Sequence, residues 1–172
     1  SDVQNITTSG SARTVELAGL ESANITTSGN ASTIILTDTS AADVLASITV
    51  SGGSALTLTG TGSTAVSTVN AGSMTAALTL DVSASTAATM TVTGGTGDDS
   101  FNIGTITSAD TVVGGDGTDT LITAAAVSAA NAAGVSEIEA VSIVNAAAGG
   151  AITQAAGAFS VSTYSIGDTN NQ

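Results

Sequence analysis

Two short stretches hold most of the side chains able to do chemistry. Gly94-Gly95-Thr96-Gly97-Asp98-Asp99-Ser100-Phe101-Asn102 and Gly114-Gly115-Asp116-Gly117-Thr118-Asp119-Thr120-Leu121-Ile122 both fit the nonapeptide G-G-x-G-x-D-x-U-x, with U a large apolar residue, a pattern associated with calcium. The residue types give the reason. Glycine reaches positive φ at no steric cost, so a Gly-rich segment turns sharply and points its carbonyls inward. Calcium is a hard cation that takes about six to eight oxygen ligands, which carbonyls and carboxylates supply. The residues after each aspartate return to strand, which sends Phe101 and Leu121 into a core. One such turn is half a coordination shell. The second motif starts 20 residues after the first. If two nonapeptides make one coil, the turns stack one strand spacing apart, and Asp99 and Asp119 face each other across a single ion. Asp98 and Asp116 are read mainly as solvated turn carboxylates, with Asp116 the better accessory ligand because it lies inside its turn.

The elements that would position these turns are visible as repeats. Asn5-Ile6-Thr7-Thr8-Ser9-Gly10-Ser11-Ala12 recurs as Asn24-Ile25-Thr26-Thr27-Ser28-Gly29-Asn30-Ala31, 19 residues later. Weaker copies follow around Gly52, Gly72, Gly94 and Gly114, with steps between the glycine anchors of 19, 23, 20, 22 and 20. Each unit has a short alternating Thr/Val/Ile/Leu strand, a Gly/Ser turn and a second such strand, the pattern of half-buried strands. A step near 20 residues holding two strands predicts an all-β fold, a right-handed parallel β-solenoid running through residues 1–172 as one unit. Residues 1–93 are Thr/Ser/Ala-rich coils, 94–122 carry the paired motifs, and 123–172 hold further coils after an Ala-rich break. The break, 124–134, reads as an irregular excursion or one or two helical turns. Thr105–Val113 is a degenerate half-coil on the opposite edge, with Ile103 and Gly104 an insertion and Asp110 lacking an acidic partner one coil away. Glu137 and Glu139, two apart and so on one face, read mainly as surface charge with a second metal as the lesser alternative, Asp81 as a turn residue, Phe159–Ile166 as a last strand, and Asp168–Gln172 as a linker or cut end. The Thr-x-Thr segments at Thr57 and Thr91 suggest an ice-binding ladder, but their register wanders in the sequence, and packing of β-branched residues explains them more simply.

Charge and composition narrow the function. The chain of 172 residues has one base, Arg13, against 14 acids, for a net charge of −13. Phosphate neutralisation needs Lys and Arg, so nucleic acid is excluded as a partner; anionic membrane surfaces are disfavoured for the same reason. A cation is the natural partner. Asp98, Asp99, Asp110, Asp116 and Asp119 fall within 22 residues of one another, and two carboxylates about 4 Å apart repel by roughly 4 kcal/mol at an effective dielectric near 20. His, Cys and Lys are absent, which removes Ser-His-Asp, Cys-His and Schiff-base chemistry. A carboxylate pair for glycoside hydrolysis is formally present, yet the aromatics are Phe101, Phe159 and Tyr164 alone, too few for a sugar platform. No disulfide framework exists, and no apolar run is long enough to insert into a membrane.

The paired nonapeptides, the Leu20-Glu21 and Ile138-Glu139 segments that echo each other, and the Thr/Ala/Gly/Val background resemble the lattice-forming regions of RTX-type bacterial S-layer proteins. The resemblance runs through most of the chain, and only the nonapeptides are sharply specific. It implies calcium ligands at Asp99 and Asp119 and at carbonyls within Gly94, Gly95, Thr96 and Gly97 and within Gly114, Gly115, Asp116 and Gly117. With two full motifs, one strong calcium site is expected rather than a row. It also implies type I secretion, a place at the extracellular cell surface, calcium-dependent folding, and assembly with copies of itself. A cell-surface polysaccharide is a candidate partner, reached through a part of the protein outside this sequence. The alternatives are an adhesin or biofilm-matrix fibre on the same solenoid, and the calcium-folding tail of a secreted enzyme.

Overall fold

Short runs in which β-branched or leucine side chains alternate with hydroxylated ones bury one face and wet the other. A computed structural model, in which the described residues are 2–17, 19–38, 44–61, 65–145, 161 and 163–168, shows how these runs stack. They form a β-solenoid of about seven turns, each of about 21 residues. One sheet is built from β1 (Val3–Thr8), β3 (Ser22–Thr27), β5 (Ser47–Gly52), β7 (Thr68–Met74), β9 (Thr91–Thr93), β11 (Thr111–Val113) and β13 (Val135–Ser136), in that order. The other is built from β2 (Ala12–Glu16), β4 (Ser32–Thr37), β6 (Leu56–Thr61), β8 (Leu78–Asp81), β10 (Ser100–Gly104), β12 (Thr120–Thr123), β14 (Ala140–Asn145) and β15 (Thr163–Asp168). Neighbours pair in parallel, as in β4 with β6 and β10 with β12. Through β14, each coil thus gives one strand to each sheet.

The core is a set of columns between the sheets. Ile34, Leu58, Leu80, Phe101, Leu121 and Val141 stack in register on one side. Ala23, Ile48, Val69, Val92 and Val112 stack opposite. All eleven are buried, and sealing each larger one from water contributes about 1.5–3 kcal/mol. Outward positions hold register too: Thr33, Thr57, Thr79, Ser100 and Thr120 form one column. The hydroxyl register is therefore steadier than the sequence suggests. The neighbouring column reads Ile35, Thr59, Asp81, Asn102 and Ile122, which breaks a flat two-column threonine lattice.

Coil length varies, from 25 residues between Ser22 and Ser47 to 19 between Val3 and Ser22. The register of β10 on β12 slips between Asn102 and Gly104, where the sequence suggests an insertion, and Gly104 takes a φ of 74° there. Residues 124–134 are bends and turns with no helix. Ala132 N–H does donate to Ser128 O, but Val135 N–H then donates to Ala132 O as the chain enters β13. A helix this short has little stability of its own. The last strand begins at Thr163 and runs through Asp168; Phe159, Ser160 and residues 169–172 lie outside the described residues.

Leu80 sits mid-column and Thr79 beside it faces outward. Leu80→Ala is expected to lower unfolding free energy by about 2–5 kcal/mol, and Thr79→Ala to change it by no more than about 0.5 kcal/mol, as read by urea denaturation followed by circular dichroism.

Candidate metal centre

Each coil crosses from the first sheet to the second by a short turn. The residue that ends this turn and leads into the second sheet occupies one column. On successive coils it is Ser32, Leu56, Leu78, Asp99, Asp119 and Glu139. Its backbone N–H must find an acceptor on the next coil, because a buried amide left unpaired is costly. In the early coils that acceptor is a backbone carbonyl: Ser32 N–H donates to Ala55 O at 2.9 Å and Leu56 N–H to Ala77 O at 3.0 Å. From Leu78 onward it is a carboxylate. Leu78 N–H donates to Asp99 Oδ1 at 2.7 Å, Asp99 N–H to Asp119 Oδ1 at 2.7 Å, and Asp119 N–H to Glu139 Oε2 at 2.7 Å.

Asp99 and Asp119 are thus adjacent rungs of one ladder, at 2% and 0% exposure. Their remaining oxygens differ. Asp99 Oδ2 accepts Gly95 N–H at 2.8 Å. Asp119 Oδ2 has no hydrogen-bond partner among the described residues. The two turns differ in step with this: Gly115 and Gly117 take φ of 102° and 125°, whereas Gly95 and Gly97 stay outside the left-handed region.

The glycines leave room for oxygen. A Cβ at residue 94 would lie 2.0 Å from Gly114 O and 2.6 Å from Asp99 Oδ2. A Cβ at residue 114 would lie 1.6 Å from Glu137 O and 2.5 Å from Asp119 Oδ2. In each place the next coil's carbonyl and the turn's own carboxylate crowd a spot that a side chain would fill. Gly95 O and Gly97 O likewise press toward Gly115 and Gly117. The donors are all oxygen, the chemistry of a hard cation. Among the described residues no three acidic side chains converge as a side-chain-only metal cluster; the arrangement fits calcium through its share of backbone carbonyls.

The other predicted positions are placed as follows. Thr96 and Asp116 are exposed, and their N–H groups tie the turns to neighbouring coils through Met74 O and Gly95 O. Asp98 is exposed and its Oδ1 accepts Thr118 N–H at 2.8 Å. Asp81 caps its turn through Ser83, as expected of a turn residue. Asp110 lies on the opposite edge, buried, holding Met90 N–H and the N–H and hydroxyl of Thr107. It borders a cleft of about 550 Å³, but its carboxylate is committed to those bonds. Glu139 departs from the surface role expected of it: it is half-buried and is the third rung of the carboxylate ladder. A count of 20 residues beyond Asp119 reaches it, although no glycine motif marks it.

Burial raises the proton affinity of two rungs of this column, Asp99 and Asp119. Burial pushes Asp99 above the usual carboxylate range, against the Gly95 and Leu78 N–H groups that lower it, with Asp98 adding to the rise. Asp119 is pushed up to about 6, chiefly by burial; Asp99 N–H opposes this, and the charges of Asp99, Glu139 and Asp98 add to it. No protein-family model, curated protein or solved structure matches the chain.

The sign of the pH effect follows. The folded protein holds the Asp119 proton more tightly than the unfolded chain does, so this group favours folding below about pH 4 and loses that contribution as pH rises through about 6. In chelator, the melting temperature is expected to fall between about pH 4.5 and 7. Asp119→Asn is expected to melt higher than the wild type at neutral pH and to show a shallower fall. Superimposable profiles would remove Asp119 as the cause.

Proposed function

We propose that the chain is a calcium-stabilised β-solenoid serving as a structural segment of a bacterial surface layer. One observation carries the calcium part: within a single column, carboxylates take the place of backbone carbonyls that do the same bonding a few coils earlier. Inter-coil bonding alone therefore does not call for charge. Buried carboxylates one strand spacing of about 4.8 Å apart repel by roughly 3 kcal/mol at an effective dielectric of 20. The chain has one base, Arg13, on β2, so neutralisation falls to a cation from solution.

In this reading Asp99, Asp119 and carbonyls within 94–97 and 114–117 hold the ion. The ion supplies positive charge between two rungs and joins them. The residues supply its binding: the glycines let the carbonyls approach, and the Leu78 and Asp99 N–H groups orient the carboxylates. Where calcium is scarce the acidic turns repel and the chain stays loose enough for export. Outside the cell, millimolar calcium matches the roughly 0.1–1 mM affinities of extracellular modules, and calcium at ten times Kd adds about 1.4 kcal/mol to the folded state. The surface-layer part is supported by the resemblance of the nonapeptides and their background, and by the outward columns of Thr and Ser together with the acidic surface, which calcium can bridge between copies.

The test has two stages. Calcium added to chelator-treated protein is expected to raise the melting temperature by several degrees, and Asp99→Asn to reduce that rise. Electron microscopy of the calcium-loaded protein is expected to show two-dimensional sheets. No thermal response would overturn the calcium clamp; single filaments or dispersed particles would overturn the surface-layer assignment.

A further inference from the structure

The turn one coil beyond the second motif has lost its glycines but kept its oxygens. Ser136 pairs with Val113, and Ala140 with Thr120, so Glu137-Ile138-Glu139 spans what Gly114 to Asp119 span on the coil before. Glu137 adopts a φ of 55°, the one non-glycine residue with positive φ among the described residues, a conformation that a Cβ disfavours. The effect is to turn the Glu137 carbonyl onto the spot beside Gly114 where Asp119 Oδ2 also points. Asp119 is wholly buried, and Oδ2 is its orphaned atom. Glu139, half-buried next to it, already holds Asp119 N–H. Arg13 lies in β2, at the far end of the stack, so no base in the sequence can serve here.

We propose that this turn is a second cation site, distinct from the one between the nonapeptides, with Asp119 Oδ2, the Glu137 carbonyl and the Glu139 carboxylate as protein ligands to a hard divalent ion such as calcium. Water completes the shell on the exposed side, where Glu137 stands. Asp119 then lies between two ions, one toward Asp99 and one toward Glu139. This inference rests on the calcium reading of the nonapeptides for the identity of the ion; its residues and its test are separate.

Calcium chloride titrated by calorimetry into the full chelator-treated chain at about pH 7.5 counts the ions. The wild type is expected to bind two. Glu139→Gln keeps an oxygen for Asp119 N–H but removes the charge, and is expected to bind one, or to weaken the second by at least the ~10-fold that losing even a supporting partner costs. Asp99→Asn is expected to retain the Glu139-dependent ion. One ion in both wild type and Glu139→Gln overturns the second site and leaves the nonapeptide site standing. No ion in any form overturns both, and two ions in Glu139→Gln overturn the assignment to Glu139. Should Glu139→Gln fail to fold, the amide resonances of wild-type Asp119, Ile138 and Ala140 decide: a calcium shift at a midpoint different from that of Gly95–Gly97 supports the site, and no movement overturns it.

Discussion

The structure turns on a line of like charges, two buried and one half-buried. Asp99, Asp119 and Glu139 bond head to tail through backbone amides, in a chain whose single base is Arg13. Hydrogen bonds from amides orient a carboxylate and partly compensate its burial, but they do not cancel its charge. The cost is visible in the proton affinities of Asp99 and Asp119, both raised first by burial. A proton or a metal ion relieves the same electrostatic load, and the two compete for the same oxygens. On the proposed reading a divalent cation takes that place in the column.

The rest of the fold serves this line by holding register. A parallel solenoid repeats the same position once per coil, so one residue type placed at a fixed step becomes a column. The apolar column from Ile34 to Val141 and the acidic column from Asp99 to Glu139 come from the same repetition. The coils that precede Asp99 have no carboxylate in this column. Their turns are joined by neutral groups: Ser54 N–H donates to Thr27 Oγ1 and Ser54 hydroxyl to Gly29 O, and Gly10 N–H donates to Ser32 Oγ. The crossing column is therefore neutral in the early coils, with Ser32, Leu56 and Leu78, and acidic in the later ones, with Asp99, Asp119 and Glu139.

Much of this was legible in the residues. The alternation of small apolar and hydroxylated side chains and the step near 20 residues specify the two-strand coil, and the nonapeptides place Asp99 over Asp119. What the sequence hides has physical reasons. Glu139 keeps the step of 20 from Asp119, but its turn is three residues shorter than the motif turn, as the pairing of Ser136 with Val113 and Ala140 with Thr120 shows. Motif matching stops where the glycines stop, whereas strand register continues. Conversely, Ala124 to Gly134 carries helix-forming residues that tertiary connection to β13 overrides. The asymmetry between the turns, with Asp99 Oδ2 satisfied and Asp119 Oδ2 not, goes with positive φ at Gly115 and Gly117 that the shared motif does not encode.

Diffraction from crystals grown in millimolar calcium, with data collected at a wavelength where calcium scatters anomalously, tests the central claim most directly. The prediction is a calcium peak between the glycine turns, about 2.3–2.6 Å from Asp99 Oδ2 and Gly114 O. A map at neutral pH with no peak in that space, or with water alone there, would contradict it.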